Sequence, residues 1–195
     1  MDHIVTKKRL EKIKGLRLVD DDYAKMVFKD LECLSFVAST ILHKKIEIVK
    51  HETEASLNII KGRSIVCDIL VLTNDESINL EMEKNISRAN AKRMRYHASV
   101  IDVSLSKPGV DFSELKDVIV IFVCDFDPLK KGYPLYHVKR YIDETKELFD
   151  DGIEIIMFNC LYDHDDEYGR LGHDMRCPNP NEMYNEVLRN RNKYF

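Results

Sequence analysis

The sequence contains few residues that interrupt regular structure and no long apolar run. Only seven glycines and five prolines occur among its 195 residues, too few for long linkers or low-complexity segments. No stretch approaches the roughly 20 apolar residues that a membrane-spanning helix needs. The charged N-terminus also lacks the apolar run of a signal peptide. We therefore expect one cytoplasmic domain over residues 1–195, with no membrane contact.

Cysteine is also sparse, and its distribution argues against a disulfide framework. The number is odd, and two of the cysteines stand inside apolar runs where a buried thiol is the usual state. This pattern is typical of reduced thiols in a cytosolic protein. The five are Cys33, Cys67, Cys124, Cys160 and Cys177.

No excess of basic residues marks the chain as a nucleic-acid-binding protein. Thirty Lys and Arg residues against 34 Asp and Glu residues give a net charge of −4, which argues mildly against such a role. The positive charges are clustered, however. Residues 7–17 carry six of them against one acid, and residues 84–95 carry five with no acid. A local basic patch on an acidic protein can still bind a phosphate backbone.

Hydrophobic periodicity and turn signals predict alternating helices and strands, with one β-hairpin. Apolar β-branched runs predict the strands, and 3.6-residue spacing or capping signals predict the helices. The expected helices cover residues 22–42, 86–99, 137–149 and 180–195, and the expected strands cover residues 64–72, 78–83, 118–124 and 153–159. Residues 102–113 and 161–180 are expected to be loops. This order predicts an α/β fold with a mixed central sheet flanked by helices. The last helix has no stop signal, so we expect the natural chain to continue beyond it.

The predicted hairpin carries three carboxylates. Asp68 interrupts an otherwise apolar strand, where an unpaired charge is costly. Glu81 and Glu83 are two residues apart on the partner strand, so they point to one face. A four-residue turn at residues 74–77 would put Asp68 opposite Glu83 and diagonal to Glu81. Three converging carboxylates would suit Mg²⁺ or Mn²⁺. The alternatives are a salt bridge from Asp68 to an arginine and solvated acids on the hairpin.

An Asp on one strand followed by Glu-x-Lys or Glu-x-Gln on its hairpin partner is the PD-(D/E)XK pattern. The sequence resembles that nuclease superfamily, and within it the bacterial recombination-promoting nucleases that are also called transposases. Similar blocks occur in the same order over most of the chain, at residues 22–29, 68–83, 92–99, 120–128, 173–177 and 182–184.

The resemblance implies a restriction-endonuclease-like core and a Mg²⁺-dependent DNA endonuclease linked to mobile elements or recombination. Asp68, Glu81 and the backbone carbonyl of Met82 would hold Mg²⁺ or Mn²⁺. An acid from the first helix often joins such sites, and Glu32 is the candidate here. The sequence leaves the oligomeric state open, a homodimer included.

One position departs from the family pattern. Glu83 stands where Lys or Gln is expected. Glutamate could add a metal ligand or act as a general base, or it could repel the phosphate and silence the site. Lys84 points to the other face of the strand, although a lysine from elsewhere could substitute. The alternative function is therefore a catalytically inactive module that binds DNA or a protein.

The helix after the hairpin supplies candidate DNA-binding residues. Arg88, Lys92 and Arg95 follow helical spacing and form one basic stripe, with Arg93 on a neighbouring face. The helix directly follows the strand that carries the predicted catalytic residues, which favours phosphate binding by this stripe. The alternative is that the stripe is only a solvated face of the helix. The basic cluster in residues 7–17 is the weaker candidate.

A second metal site is conceivable near the C-terminus. Two thiols and two imidazoles stand in a near-symmetric arrangement, which is a ligand set that zinc accepts. The spacing is unlike that of a zinc finger, and the alternative is a polar loop with a buried cysteine. The four residues are Cys160, His164, His173 and Cys177.

Overall fold

The two strands of the predicted hairpin lie in the interior of a six-stranded sheet. The computed structural model describes residues 15–59 and 62–194. Within them the strands are β1 (Lys50–Leu57), β2 (Ile65–Leu72), β3 (Glu76–Glu83), β4 (Asp117–Cys124), β5 (Leu135–Val138) and β6 (Ile153–Asn159). The helices are α1 (Asp21–Val27), α2 (Leu31–Leu42), α3 (Ala91–Leu105), α4 (Glu167–Arg176) and α5 (Glu186–Asn192), with short 3₁₀ turns at Phe112–Glu114 and Pro180–Glu182.

The sheet is mixed and its spatial order is β1-β2-β3-β4-β6-β5. The strands β1, β2 and β3 form an antiparallel meander. The strands β3, β4 and β6 are parallel, and β5 pairs antiparallel with the outer edge of β6. This arrangement confirms the predicted α/β class and the mixed sheet flanked by helices.

Both faces of the central strands are buried. Alternate residues of β4 contribute to two cores. Ile119, Ile121 and Val123 face the layer that contains α1, α2, α4 and α5. Val120 and Phe122 face α3, which is the helix that covers the opposite side in the described part of the chain. A strand buried on both faces has a continuous apolar sequence, and this explains why β4 and β6 were predicted with nearly correct bounds.

The first predicted helix is two helices. The prediction of one helix over residues 22–42 is wrong because Asp30 interrupts it as the N-cap of α2. The Asp30 carboxylate accepts hydrogen bonds from the backbone N–H groups of Glu32 and Cys33. The three acids at residues 20–22 are recognisable as capping residues, whereas Asp30 lies inside an apolar pattern and is not.

The helix after β3 is displaced towards the C-terminus. It begins at Ala91 because Asn90 caps it by accepting from the Arg93 N–H, and it continues to Leu105. The predicted range of 86–99 is therefore wrong at both ends, and part of the expected loop at residues 102–113 is helical.

The prediction of a helix over residues 137–149 is wrong. Residues 135–138 form strand β5, and a single bridge joins Tyr141 to Leu148 beyond it. Pairing with β6 outweighs local helical spacing here, as tertiary context often does. Strand β1 was not predicted either. Its sequence is rich in charged and polar residues, and it lies at the sheet edge, where burial leaves a weak pattern.

The expected loop over residues 161–180 contains helix α4. Asp166 caps this helix by accepting from the Gly169 N–H. Gly169 and Gly172 lower helix propensity, but both lie where the helix contacts backbone. A Cβ at Gly169 would overlap the His164 carbonyl oxygen, and one at Gly172 would lie 3.0 Å from the Cys160 carbonyl oxygen.

The last predicted helix is correct only in part. Asn179 caps a 3₁₀ turn by accepting from the Asn181 N–H, and the α-helix begins later, at Glu186. Asn185 caps this second start by accepting from the Leu188 N–H.

Gly169→Ala should test the close packing of α4. We expect the free energy of unfolding to fall by about 2 kcal/mol or more, since the new methyl group must displace backbone. Urea unfolding followed by circular dichroism measures this. Gly15→Ala is the matched control because no atom of the described residues lies within 4 Å of the position that its new methyl group would take. Equal stability of the two variants would contradict the tight contact.

Candidate active site

The predicted carboxylates lie where β2 and β3 separate. Regular pairing of the two strands extends to Ile69 opposite Leu80. Beyond it, the Asp68 N–H donates to Glu81 Oε1 at 3.2 Å and the Met82 N–H donates to Asp68 Oδ2 at 2.9 Å. Each carboxylate therefore replaces a ladder hydrogen bond with a bond to the backbone of the other strand.

The register of the hairpin differs from the prediction. Leu72 pairs with Ser77, so the loop is residues 73–76 and lies one residue earlier than expected. Asp68 consequently comes opposite Glu81, and the predicted placement opposite Glu83 is wrong. The side chain of Thr73 explains the earlier turn because its hydroxyl accepts from the N–H groups of Asp75 and Glu76.

Strand β1 is irregular at the same level. Glu54 lies between the Thr53–Ile69 and Ala55–Cys67 pairs and has a φ of 58°. A non-glycine residue in this left-handed region is strained, and such strain is concentrated at functional sites. Both neighbours of β2 thus lose regular pairing beside Asp68.

Glu81 is buried, and its two oxygens have different environments. Oε1 accepts from the Asp68 N–H and, at 3.1 Å, from the Asn79 side-chain amide. The ring of His97 approaches the same oxygen at 3.5 Å. Oε2 accepts from the Arg93 guanidinium at 2.9 Å. These donors offset the cost of burying the carboxylate.

Glu83 is buried as well, and its partners are arginine and backbone. Arg93 donates to Glu83 Oε2, and the Asn85 N–H donates to Oε1 at 2.8 Å. Arg88 lies 3.7 Å from the same carboxylate. One guanidinium therefore bridges both glutamates, and it also lies 5.0 Å from the ring centroid of Phe122. The strand was predicted to be half-buried, but α3 covers its polar face.

A lysine from α1 contacts the remaining carboxylate. Lys25 Nζ lies 3.7 Å from Asp68 Oδ1, 2.8 Å from Asp21 and 3.4 Å from Glu54. Burial lowers the pKa of Lys25, but the hydrogen bond to Asp21 and the charge of Asp68 outweigh it and raise the pKa to about 12. Lys25 is therefore a cation beside Asp68.

Asp68 itself is held in an unfavourable environment for an anion. Burial is the largest cause and the charge of Glu81 the second, and together they raise the pKa of Asp68 to about 7. The Met82 N–H and Lys25 act in the opposite direction but do not cancel them. A cation beside the pair would relieve both effects.

The Met82 carbonyl lies on the same side as Asp68. The Asp125 N–H donates to the carbonyl of Glu83, so the backbone groups of Glu83 point towards β4. Since successive residues of a strand present their backbone groups to alternate edges, Met82 faces β2, in agreement with its N–H bond to Asp68. Its carbonyl oxygen is thus available to a ligand held by Asp68.

A basic groove on the α3 side of the sheet includes Arg93, the partner of Glu81 and Glu83. It has a volume of about 670 Å³ and runs between the start of β2 and the first turns of α3. Tyr96 and His97 form part of its wall. No carboxylate lines it among residues 15–59 and 62–194, and its five cations are Arg63, Arg88, Lys92, Arg93 and Arg95.

Two other predicted groups, Glu32 and the basic cluster in residues 7–17, are not seen beside the carboxylates. Glu32 is exposed at the start of α2 and lines a separate groove with residues of α5, away from Asp68. Of the basic cluster in residues 7–17, the first five cations lie outside the described residues. Arg17 forms ion pairs with Asp20 and Asp125 at 3.5 and 2.8 Å.

The predicted zinc ligands do not converge either. His164 stacks on Tyr162, with 4.6 Å between ring centroids, and His173 contacts Tyr184. Cys177 donates to the Asn179 carbonyl. In the described part of the chain, the only group of three metal-ligating side chains within reach of one another is Cys67, Glu81 and His97.

Sequence reasoning missed several residues around the carboxylates. For Lys25 the sequence holds one weak indication, because Asp21 precedes it by four residues at the start of a helix and such residues form ion pairs. No sequence signal pointed to Arg63, Asn79 or His97, because how close they lie to the carboxylates depends on how α3 crosses the sheet.

Comparisons with known proteins add no further constraint. No family profile, curated protein or solved structure matches this chain. In the described residues, no helix is long and apolar enough to cross a membrane.

Asp68→Asn should stabilise the protein at high pH. Near pH 4 the aspartate is protonated in the folded state, so the substitution should change little. As the pH rises towards about 7, Asp68 ionises in the unfolded chain but stays protonated in the folded protein. The wild type therefore loses stability over this pH range. We expect a gain of about 1–3 kcal/mol for the variant at pH 8. Thermal unfolding at both pH values measures it.

The control for this prediction is Asp143→Asn, whose side chain is 93% exposed. It should leave the melting temperature nearly unchanged at either pH. A less stable Asp68→Asn variant at pH 8 would show that the ionised carboxylate is not disfavoured in the folded site.

Proposed function

We propose that the protein is a metal-dependent nuclease of the PD-(D/E)XK type, with a restriction-endonuclease-like core, that hydrolyses phosphodiester bonds in DNA. One observation carries the proposal. A groove with five cations and no carboxylate among the described residues is lined by Arg93 and His97, which both contact Glu81. Glu81 in turn accepts from the Asp68 N–H in a strained break of the sheet. The cations of the groove would bind substrate phosphates, and the carboxylate pair would bind a hydrolytic metal ion.

The donor set suits a hard divalent cation. Asp68, Glu81 and the Met82 carbonyl offer oxygen ligands, and burial together with the charge of Glu81 raises the pKa of Asp68. These three groups would hold Mg²⁺ or Mn²⁺. The ion would polarise the scissile phosphate and lower the pKa of an attacking water.

The protein's own cations would take the remaining tasks. Lys25 places an ammonium group beside Asp68, where it would offset phosphate charge in the way expected of the motif lysine. Glu83 acts here as a positioning residue, because it holds the guanidinium of Arg93 and the N–H of Asn85. Arg88, Lys92 and Arg95 would bind the backbone of the DNA along the groove.

A second function is favoured by one specific contact. Arg93 neutralises Glu81 and Glu83 without a metal. A site satisfied in this way could belong to a catalytically inactive module that binds DNA through the same groove. Cleavage and binding must therefore be measured separately.

Plasmid nicking in Mg²⁺ or Mn²⁺ tests catalysis. We expect Asp68→Asn and Glu81→Gln to lose activity by about 100-fold or more, because each removes a metal-binding charge. Lys25→Met should also lose activity while still binding DNA. Glu32→Gln is the matched control and should cleave like the wild type, since Glu32 lies in another groove.

The outcomes separate the two functions. No cleavage by the wild type, combined with salt-dependent DNA binding, would favour the inactive module. Full activity in both Asp68→Asn and Glu81→Gln would contradict the site.

The salt dependence of DNA affinity tests the groove. Lys92 and Arg95 are exposed and form no ion pair within the described residues, so their charges are free to contact phosphates. Lys92→Ala and Arg95→Ala should each reduce the slope of log K against log salt by about 0.9 on duplex DNA. Fluorescence anisotropy at several salt concentrations gives this slope.

Lys107→Ala is the control for charge alone. It removes the same charge from an exposed position beyond the end of α3, outside the groove. An equal effect in this variant would mean that the net charge of the protein, rather than the groove, sets the affinity.

A further inference from the structure

A second set of metal-binding atoms lies on the α3 side of the sheet. Cys67 from β2, Glu81 from β3 and His97 from α3 each offer one ligand atom, and these atoms all lie within 4.8 Å of one another. All three residues are buried. They come from three different elements, so their convergence is a product of the fold and not of one local motif.

We propose that Cys67, Glu81 and His97 form a binding site for a thiophilic divalent cation, with Zn²⁺ as the fitting ion. A thiol and an imidazole select zinc over magnesium, which prefers oxygen ligands alone. The site is therefore chemically distinct from the proposed hard-cation site at Asp68 and the Met82 carbonyl. The two sites share only Glu81.

The distances are close to those that zinc requires. Ligand atoms around a tetrahedral zinc ion are roughly 3.3–3.8 Å apart, given Zn–N and Zn–S bonds of about 2.0–2.3 Å. The largest separation here is within 4.8 Å, so the cluster has to contract by about 1 Å. Small side-chain rotations on three packed elements supply a movement of that size.

Asn79 provides an independent indication of a missing partner. Its side-chain nitrogen lies 3.1 Å from Glu81 Oε1 and 3.2 Å from His97 Nδ1, which places the amide within the cluster. The oxygen of the same amide is buried and has no hydrogen-bond partner in the described residues. Buried polar atoms are rarely left unpaired. Rotation of the amide by 180° would turn this oxygen towards the cluster, where a zinc ion, or a water molecule bound to it, would be its partner.

Charge and access also fit. With the Cys67 thiol ionised, Cys67 and Glu81 carry two negative charges, and a dication neutralises them. His97 lines the basic groove, so the cluster adjoins an opening to solvent.

Metal binding by the whole chain tests the site. The chelator-treated protein is dialysed against Zn²⁺ alone and, separately, against Co²⁺ as a spectroscopic probe. We expect about one equivalent of either ion and a thiolate-to-cobalt charge-transfer band. Cys67→Ser should abolish the band, and His97→Gln should weaken Zn²⁺ affinity by about tenfold or more. Circular dichroism establishes that each variant is folded.

Matched variants isolate the cluster. Cys124→Ser removes another buried thiol from the same α3-facing core, and it should keep the cobalt band and the zinc stoichiometry. Asp68→Asn should also keep both while losing Mg²⁺-dependent cleavage, which separates failure of this site from failure of the proposed nuclease. Absence of stoichiometric binding by the wild type, or a cobalt band that survives Cys67→Ser, would overturn the proposal.

Discussion

The bridge from Arg93 to Glu81 and Glu83 is the interaction on which the rest of the site depends. Two carboxylates on one strand point towards α3 and are almost completely buried. Without a cation between them, burying both would be strongly unfavourable. A single guanidinium satisfies them, and it does so from the first turn of α3, one helical turn before His97. The bridge therefore determines how the helix lies across the sheet.

The position of α3 in turn creates the groove. Once Arg93 is bound to β3, Lys92 and Arg95 project outward on either side of it, and Arg88 lies in the preceding loop. Arg63 completes the opposite wall from the segment before β2. The basic surface thus depends on a buried ion pair, since the same helix supplies both. Arg93 itself, which was predicted to bind DNA, forms ion pairs with two buried glutamates.

Strands β2, β4 and β6 could be predicted from sequence because they contain long apolar runs, whereas β1 and β5 do not. The detail of the site could not, for identifiable reasons. The hairpin register depended on whether the turn began at Thr73 or Asn74, and only the side-chain bonds of Thr73 favour the former. Lys25 reaches Asp68 because Asp30 ends one helix and starts another. Helix α4 was missed because its glycines serve a backbone contact that sequence patterns do not report.

Two aspartates outside the site have structural roles. Asp125 forms ion pairs with Arg17 and Arg176, which join the end of β4 to the N-terminal segment and to α4. Asp174 is fully buried and accepts from the N–H groups of Tyr184 and Asn185.

These contacts stabilise an architecture and do not touch the carboxylate pair. The carboxylates of the hairpin instead depend on cations from helices on opposite faces of the sheet. Lys25 of α1 contacts Asp68 on β2, and Arg93 of α3 contacts Glu81 and Glu83 on β3. Because the two helices belong to different layers, a change in the packing of either layer would leave one of these carboxylates buried without its cation.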